Sequence, residues 1–381
     1  MSELSTELRE IRAMTRDFAA AEIAPHAQEW NATKTVPVET LRTMASLGLF
    51  GVNVPEELGG AGLGTLGLCV VMEELAAADA GTSTGLAAQC SLTIPPIVNF
   101  GSDAQRREWV PALASGERFG AYALSEADHG SDAAGLTTSA SEVGGGFAIS
   151  GSKLWITNGG FADVFIVFAR TDGPGASGVS AFIVEKDSGV KVGREIPKMG
   201  LHTSSTVELA FDGVEVPRER VLGERRQGMR IAFSTLDAGR IVIAGQAVGI
   251  ARAALELATR YAAERTAFGG PIARFQGVQF PIADVAAKID AARVLTHRAA
   301  RIRDAGEPCT EIGAKAKLFA SSVAVEAANV AVQTLGGYGY SAEFPAERYY
   351  RDAKITELYE GTSEIQRLVI ARQLMGDAAR G

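Results

Sequence analysis

The texture of the chain changes twice along its length, and that order limits the folds open to it. From Ser2 to about Arg118 the pattern is helical, with Ala-rich segments interrupted by turn signals at Val36-Pro37, at residues 53–67 and at Pro95-Pro96. From Phe119 to about Gly223 it becomes short β-branched and aromatic runs, FAISGSKLWITN (147–158), DVFIVFAR (163–170), SAFIVEK (180–186) and VELAFDGVEVP (207–217), separated by Gly, Ser and Asp turns. In the last run Val207, Leu209 and Phe211 alternate with Glu208, Ala210 and Asp212, the period of a half-buried strand. Beyond Glu224 long Ala-rich helical patterns return and continue to Ala379. Strands gathered in one block do not alternate with crossover helices, so a doubly wound sheet is excluded and an α+β fold is predicted. The expected units are an N-terminal helical domain over 1–118, a middle antiparallel β domain over 119–224 and a C-terminal helix bundle over 225–381. A chain of 381 residues, 46% hydrophobic and 22% charged, can supply cores for them.

Charge and cysteine content narrow the function. A net charge of -8 argues against nucleic acid or an anionic membrane as main partner, though a local Arg cluster can still hold an anionic cofactor. Cys69, Cys90 and Cys309 are widely spaced, and His26, His129, His202 and His297 are isolated, so no metal and reduced thiols are expected. The N-terminal stretch (Leu4, Leu8, Ile11, Met14, Phe18) is amphipathic and acid-containing, and no apolar run reaches about 18 residues, which predicts a cytoplasmic protein without a membrane span. Residues 62–67 spell GxGxxG, but Pro55-Glu56-Glu57 breaks the run before them and no second strand follows the helix, so a dinucleotide fold is not expected.

The most telling local feature is Tyr359-Glu360-Gly361-Thr362-Ser363. Ser363 with Gln366 fits a capping box, and Ile365, Leu368 and Val369 begin a helical stripe, so Glu360 falls on a loop just ahead of a helix. An acid there can simply face the positive end of the helix dipole, or it can point into a cleft as a base. The whole stretch ITELYEGTSEIQRLVIAR (355–372) resembles the active-site signature of the acyl-CoA dehydrogenase family. The resemblance implies that Glu360 removes the α-proton of an acyl thioester while the β-hydrogen leaves as hydride to FAD, giving a trans-2-enoyl-CoA. Gly239 stands where isovaleryl-type relatives carry their base, which leaves Glu360 as the matched one.

Two further segments are similar to the family's FAD-binding sequences: AYALSEADHGSDAAG (121–135), a strand running into a polar turn, and KLWITN (153–158). By that likeness Tyr122, Leu124, Ser125, Gly130 and Ser131 border the flavin, and Trp155, Ile156 and Thr157 pack on it. ERTAFG (264–269) with Gln276, and QTLGG (333–337), resemble segments that contact the FAD of a neighbouring subunit, implicating Arg265, Phe268, Gln276, Gln333, Gly336 and Gly337; the likeness also makes Thr362 and Glu364 cofactor-binding. A homotetramer, a dimer of dimers, is implied. For substrate the likeness points to Ser131, Phe233, Asp237, Arg240, Tyr359 and Gly361, with Phe233, Leu236, Asp237 and Arg240 recurring at helical spacing over 228–263.

The resemblance covers essentially the whole chain and is nearest the short-chain, butyryl-CoA branch, with electron-transferring flavoprotein as the implied acceptor. It departs at Ala127, often Pro in the family, at His129, expected here to face solvent, at His202 in place of Arg, and at Thr266 in place of Lys. An acyl-CoA oxidase, a dehydrogenase of branched or carrier-bound thioesters, and a non-catalytic acyl-CoA-binding protein remain open on the residues alone.

Overall fold

The computed structural model describes residues 4–379; residues 1–3 and 380–381 of the expected outer domains lie outside the described residues. The N-terminal part holds α1 (Thr6–Phe18), α2 (Ala27–Thr33), α3 (Val38–Ser46), α4 (Gly64–Ala78), α5 (Ala80–Ala87), α6 (Ile94–Phe100) and α7 (Asp103–Ala114). Local chemistry sets their ends. Ser5 accepts the Leu8 N–H to start α1, Asp79 accepts the Thr82 N–H where α4 turns into α5, and Ser102 and Gln105 form a reciprocal capping box on α7. Every residue of α4 from Leu66 to Ala76 is buried, Glu73 and Glu74 included, so this helix is enclosed on all sides and occupies the centre.

Two loop expectations are corrected. α4 begins at Gly64, inside the stretch read as loop through Gly67. Pro95-Pro96 opens no loop but fills the first turn of α6, where a missing N–H costs nothing, directly after a π-helical turn over Ala88–Thr93. The GxGxxG stretch is the entry to α4. Asp304 accepts the N–H groups of Thr65 at 2.7 Å and Leu66 at 3.0 Å, so a carboxylate already occupies the helix end that a phosphate would need.

The middle part is one eight-stranded sheet of β1 (Gly120–Ala123), β2 (Ser139–Val143), β3 (Gly146–Thr157), β4 (Val164–Arg170), β5 (Val179–Glu185), β6 (Lys191–Glu195), β7 (Thr206–Pro217) and β8 (Val221–Leu222). The order is β6-β7-β3-β2-β4-β5-β8, with β1 beside β4. Pairing is antiparallel except along β4, which takes β1 in parallel from Gly120↔Val164 to Ala123↔Val167 and meets β2 in parallel at Ser139↔Arg170. The four apolar runs are β3, β4, β5 and β7. One face of the sheet packs Ile166, Phe168 and Ile183 against Ile94, Trp109 and Ile231, which holds α6, α7 and the start of α8 to it.

The C-terminal part comprises α8 (Gly228–Glu264), a short hairpin of β9 (Thr266–Ala267) and β10 (Gly270–Pro271), α9 (Gln276–Asp304), α10 (Thr310–Leu335), α11 (Gly337–Tyr340), α12 (Ala346–Ile355) and α13 (Ser363–Met375). α8 packs on α4, α9 and α10. Against the sequence expectation, α8 and α10 are each long and apolar enough over 18 residues to cross a membrane by length and composition, because scattered polar residues interrupt the run without cancelling its mean hydropathy. In α8, 83% of that window is buried inside the protein, which accounts for its composition by core packing.

Two polar seams join these parts. Glu73 and Glu74 of α4 are buried among Arg12, Arg16, Arg252 and Arg293, tying α1, α8 and α9 to the central helix. At the other seam Arg348 pairs with Asp79 at 3.0 Å, Asp352 accepts the Leu201 N–H at 2.6 Å, and Arg351 reaches Asn31 Oδ1 at 3.0 Å. The ring nitrogens of His202 lie 3.1 Å from Asn31 O and 2.9 Å from Lys198 O, so this residue clamps the first part to the second.

Candidate active site

Glu360 sits on the turn between α12 and α13. The N-cap of α13 is Thr362, whose hydroxyl accepts the Ile365 N–H at 3.3 Å, which corrects the expected Ser363–Gln366 capping box by one residue. Gln366 turns back instead, its amide donating to the carbonyls of Glu360 at 3.2 Å and Gly361 at 2.9 Å. Glu360 and Gly361 both take positive φ, 54° and 89°. Glycine adopts this freely, whereas a Glu there stores roughly 1–3 kcal/mol of local strain. The turn tips the Glu360 side chain toward α8, where a Cβ on Gly239 would stand 2.5 Å from Oε2. Oε2 is withdrawn from solvent without a hydrogen-bond partner among the described residues. Burial pushes the carboxyl up to about 7 against the pull of Arg240 and Lys317.

The residues around it are themselves held. The Tyr359 hydroxyl donates to Gln246 Oε1, and the Gln246 amide is anchored on Ala80 O at 2.9 Å, Ser83 Oγ at 2.9 Å and Thr84 Oγ1 at 2.8 Å. Arg240 is buried, pairs with Asp237 at 3.1 Å and keeps Nη1 buried without a partner among the described residues, while Thr310 donates to Asp237 at 2.6 Å. Phe233 stands half-exposed further along α8. Lys317, fully buried on α10, donates to the Gly361 carbonyl at 2.8 Å. Sequence reasoning missed Lys317, Gln246 and Gln366. A legible signal existed for the first: its helical neighbours Gly313, Ala320 and Ser321 are small, which lets the lysine lie inside a packed face.

β1 and β3 bring the two flavin-like segments together. The Leu154 N–H donates to Ser125 O at 2.9 Å, and Lys153 Nζ meets Leu124 O at 3.1 Å and Glu126 Oε1 at 2.8 Å. Burial and the adjacent ion pair act in opposite senses here: burial brings the Lys153 amine down to about 8, and Lys153 with the N–H groups of Thr137 and Thr138 overcomes burial to hold Glu126 at about 2. The register of β3 against β7 slips between Lys153 and Ile156, and Trp155 takes a φ of 66° there, presenting its indole 56% exposed. Ile156 is buried and Thr157 half-buried beside it. Tyr122 on β1 is buried, its hydroxyl without a partner among the described residues and raised by burial and by the Glu360 charge, which puts this strand within electrostatic reach of the carboxylate. Gly130 and Ser131 lie in the exposed loop that follows. His129, expected to face solvent, tucks its ring against Gly135, where the missing Cβ leaves room, and its Nδ1 is buried without a partner.

The other predicted cofactor residues lie elsewhere. Arg265, Gly336 and Gly337 line a cavity of about 550 Å³ with Tyr261, Thr334 and Tyr338, and the Arg265 guanidinium lies 5.9 Å over the Tyr338 ring. Phe268 is 89% exposed at a φ of 52°, and Gln276 and Gln333 are exposed. Gly239 and Arg265 bound about 39 Å of α8 at 1.5 Å per residue, so this group cannot reach the Glu360 site of its own chain. Glu364 is exposed and pairs with Arg367 at 3.3 Å.

The near site suits a flat, hydrogen-bonding ring: an exposed indole at a bulge, an unpartnered buried hydroxyl on Tyr122 and an open glycine at Gly130, with nothing within 4 Å of its Cβ position, lie at the ends of adjoining segments. The unpartnered Glu360 Oε2 and Arg240 Nη1 leave a base and a donor for a polar substrate.

Comparison with known proteins agrees with this geometry. Family models described as the acyl-CoA dehydrogenase N-terminal, middle and C-terminal domains match residues 5–117, 121–214 and 226–375. The chain is 46% identical to an acyl-CoA dehydrogenase of Bacillus subtilis over 96% of this chain and 97% of that one. It is 44% identical to the mouse mitochondrial short-chain specific acyl-CoA dehydrogenase over 98% and 91%. The solved structure of butyryl-CoA dehydrogenase from Megasphaera elsdenii superposes with a TM-score of 0.97 at 41% identity, covering 98% of this chain and 100% of that one. Three matching domains in order, around a buried carboxylate at the family's signature, mean that this chain belongs to the acyl-CoA dehydrogenase family.

Proposed function

We propose that this protein is an FAD-dependent enzyme that dehydrogenates a short- to medium-chain acyl-CoA between Cα and Cβ to the trans-2-enoyl-CoA. The observation that carries the reading is Glu360, a carboxylate withdrawn from solvent, without a hydrogen-bond partner for Oε2, and raised by burial to about 7. Such a group is a strong enough base to take an activated α-proton at neutral pH. Among the described residues the Glu360 N–H makes no backbone hydrogen bond, which leaves it to bind the thioester oxygen and stabilise charge that develops there as the proton leaves. Arg240 and Asp237 orient the pantetheine arm, Tyr359 stands beside the acyl chain, and Ser131, Phe233 and Gly361 complete the substrate contacts. Gln246 fixes Tyr359, so the wall next to the reacting carbons is rigid.

FAD, when bound, supplies the acceptor for the β-hydride. Tyr122, Leu124, Ser125, Gly130, Ser131, Trp155, Ile156 and Thr157 would hold it from this chain. The distant Arg265, Phe268, Gln276, Gln333, Gly336 and Gly337 would serve the cofactor of a neighbouring subunit, and Thr362 and Glu364 at the start of α13 would also contact the cofactor. The exposure of Phe268, Gln276 and Gln333 and the separation of about 39 Å between Gly239 and Arg265 along α8 support that division of labour and, with it, a homotetramer built as a dimer of dimers. Electron-transferring flavoprotein would reoxidise the cofactor, and the protein would work in the cytoplasm.

The test is the anaerobic visible spectrum of FAD-loaded protein before and after butyryl-CoA and then octanoyl-CoA. Rapid bleaching of the flavin band is the expected result, faster with the shorter thioester. Glu360→Gln should retain FAD and bind acyl-CoA yet lose the bleaching; substantial residual reduction in that variant would remove Glu360 from the role of base.

A further inference from the structure

We propose that Lys317 is a positioning residue for this reaction: it pins the Gly361 carbonyl beneath the Glu360 turn and, as a buried cation, favours the ionised form of the Glu360 carboxylate. The inference rests on the reading of Glu360 as the base.

Lys317 lies in the middle of α10 and is 0% exposed. Its Nζ donates to Gly361 O at 2.8 Å, and it forms no salt bridge among the described residues. A buried ammonium without a close counter-ion carries a large desolvation cost, and a fold keeps one only where its charge or its hydrogen bonds are used. One turn further along the same face, Ser321 donates to Thr356 O at 2.7 Å. α10 therefore grips the connection to α13 at both ends, at Thr356 and at Gly361, with the positive-φ pair Glu360-Gly361 at the second grip.

The charged groups that face Lys317 are Glu357 and Glu360 of this connection, Glu364 of α13 and Arg240 of α8. Burial brings the Lys317 amine down to about 8, so it remains mostly protonated at neutral pH. The effect is reciprocal, since Arg240 and Lys317 both draw Glu360 down against burial. The charge of Arg240 is already engaged by Asp237 at 3.1 Å, whereas that of Lys317 has no such partner. When Glu360 accepts the substrate proton, Lys317 loses its anion, which favours return of the carboxylate once product has formed.

The experiment uses the FAD-loaded enzyme and two variants. Lys317→Gln removes the charge but can still donate to Gly361 O; Lys317→Met removes both. The readouts are the pH profile of flavin reduction by butyryl-CoA and the infrared titration of the Glu360 carboxyl, isolated by difference against Glu360→Gln. In both variants the rising limb should move alkaline by about one unit, which slows reduction about fivefold at pH 7 and less above it, with the infrared midpoint moving equally. Lys317→Met should add a pH-independent loss from the released carbonyl. An unchanged profile and midpoint in Lys317→Gln, or a loss of rate uniform across pH, would overturn the proposal and leave Lys317 a packing residue. Should wild-type protein bleach with no acyl-CoA, the functional reading fails on that result alone, and the infrared midpoint of Lys317→Gln still decides whether Lys317 sets the Glu360 charge.

Discussion

Gly239 and Glu360 act as a pair across the site. Inside a helix, Ala is preferred to Gly by roughly 1 kcal/mol, yet α8 keeps a glycine where an added Cβ would meet Glu360 Oε2 at 2.5 Å. Gly239→Ala should therefore separate two properties that usually fall together. Oε2 is the far end of a flexible side chain and can swing away, so thermal stability of the apoprotein should hold or rise, while flavin reduction should drop at least about tenfold because the carboxylate is displaced. Paired calorimetry and anaerobic stopped-flow would check it; equal losses in both would show the clash to be structural. The raised Glu360 also sets a pH dependence. Only the ionised form accepts a proton, so the reduction rate should climb through a midpoint of about 7 in the wild type, burial being the cause of the elevation.

At the scale of elements, the turn that carries Glu360 depends on how α13 begins. Thr362→Ala should cost about 1 kcal/mol and slow flavin reduction, while Thr362→Ser should be nearly neutral; denaturant unfolding of the apoprotein measures the first effect apart from cofactor binding. Sequence reading put the helix start one residue late because Thr362 and Ser363 are equally able caps, and the positive φ of Glu360 and Gly361, which decides between them, leaves no compositional trace. The same limit explains the sheet. β3, β4, β5 and β7 were legible as apolar runs, and β4 and β5 are buried almost throughout. β2 (SASEV) and β6 (KVGRE) are mostly exposed and polar, and are strands only because a neighbour offers its hydrogen bonds. Trp155 stood out in the sequence as a flavin-contact candidate, but the bulge that turns it outward was not legible. Gln246 stayed hidden for a related reason: a polar group buried by tertiary packing is not marked as such in sequence, whereas for Lys317 the small residues at helical spacing around it were a signal that went unread.

For the molecule as a whole, the seam at Asp352 links folding to pH. Burial, then the charge of Asp79, raises its carboxyl from 3.8 to about 7, with the Leu201 N–H, Arg348 and Arg351 opposing. The folded state thus holds this proton more tightly than the unfolded chain, so the contribution is complete below the unfolded value and fades as pH climbs toward 7. Asp352→Asn retains an acceptor for Leu201 and should gain in Tm on the wild type between pH 5 and pH 8; a constant gap would mean that Asp352 does not titrate in that window. α8 bears on the same scale in another way. This single rod of 37 residues carries Gly239 near one end and Arg265 just past the other. A rod of this kind is also a phase device: inserting or deleting one residue between those points shifts them by about 1.5 Å and turns one against the other by about 100°. Loops elsewhere in the chain can drift in length, but the span from Gly239 to Arg265 is a count that cannot change by one without turning the surface around Arg265 out of phase with the Glu360 site.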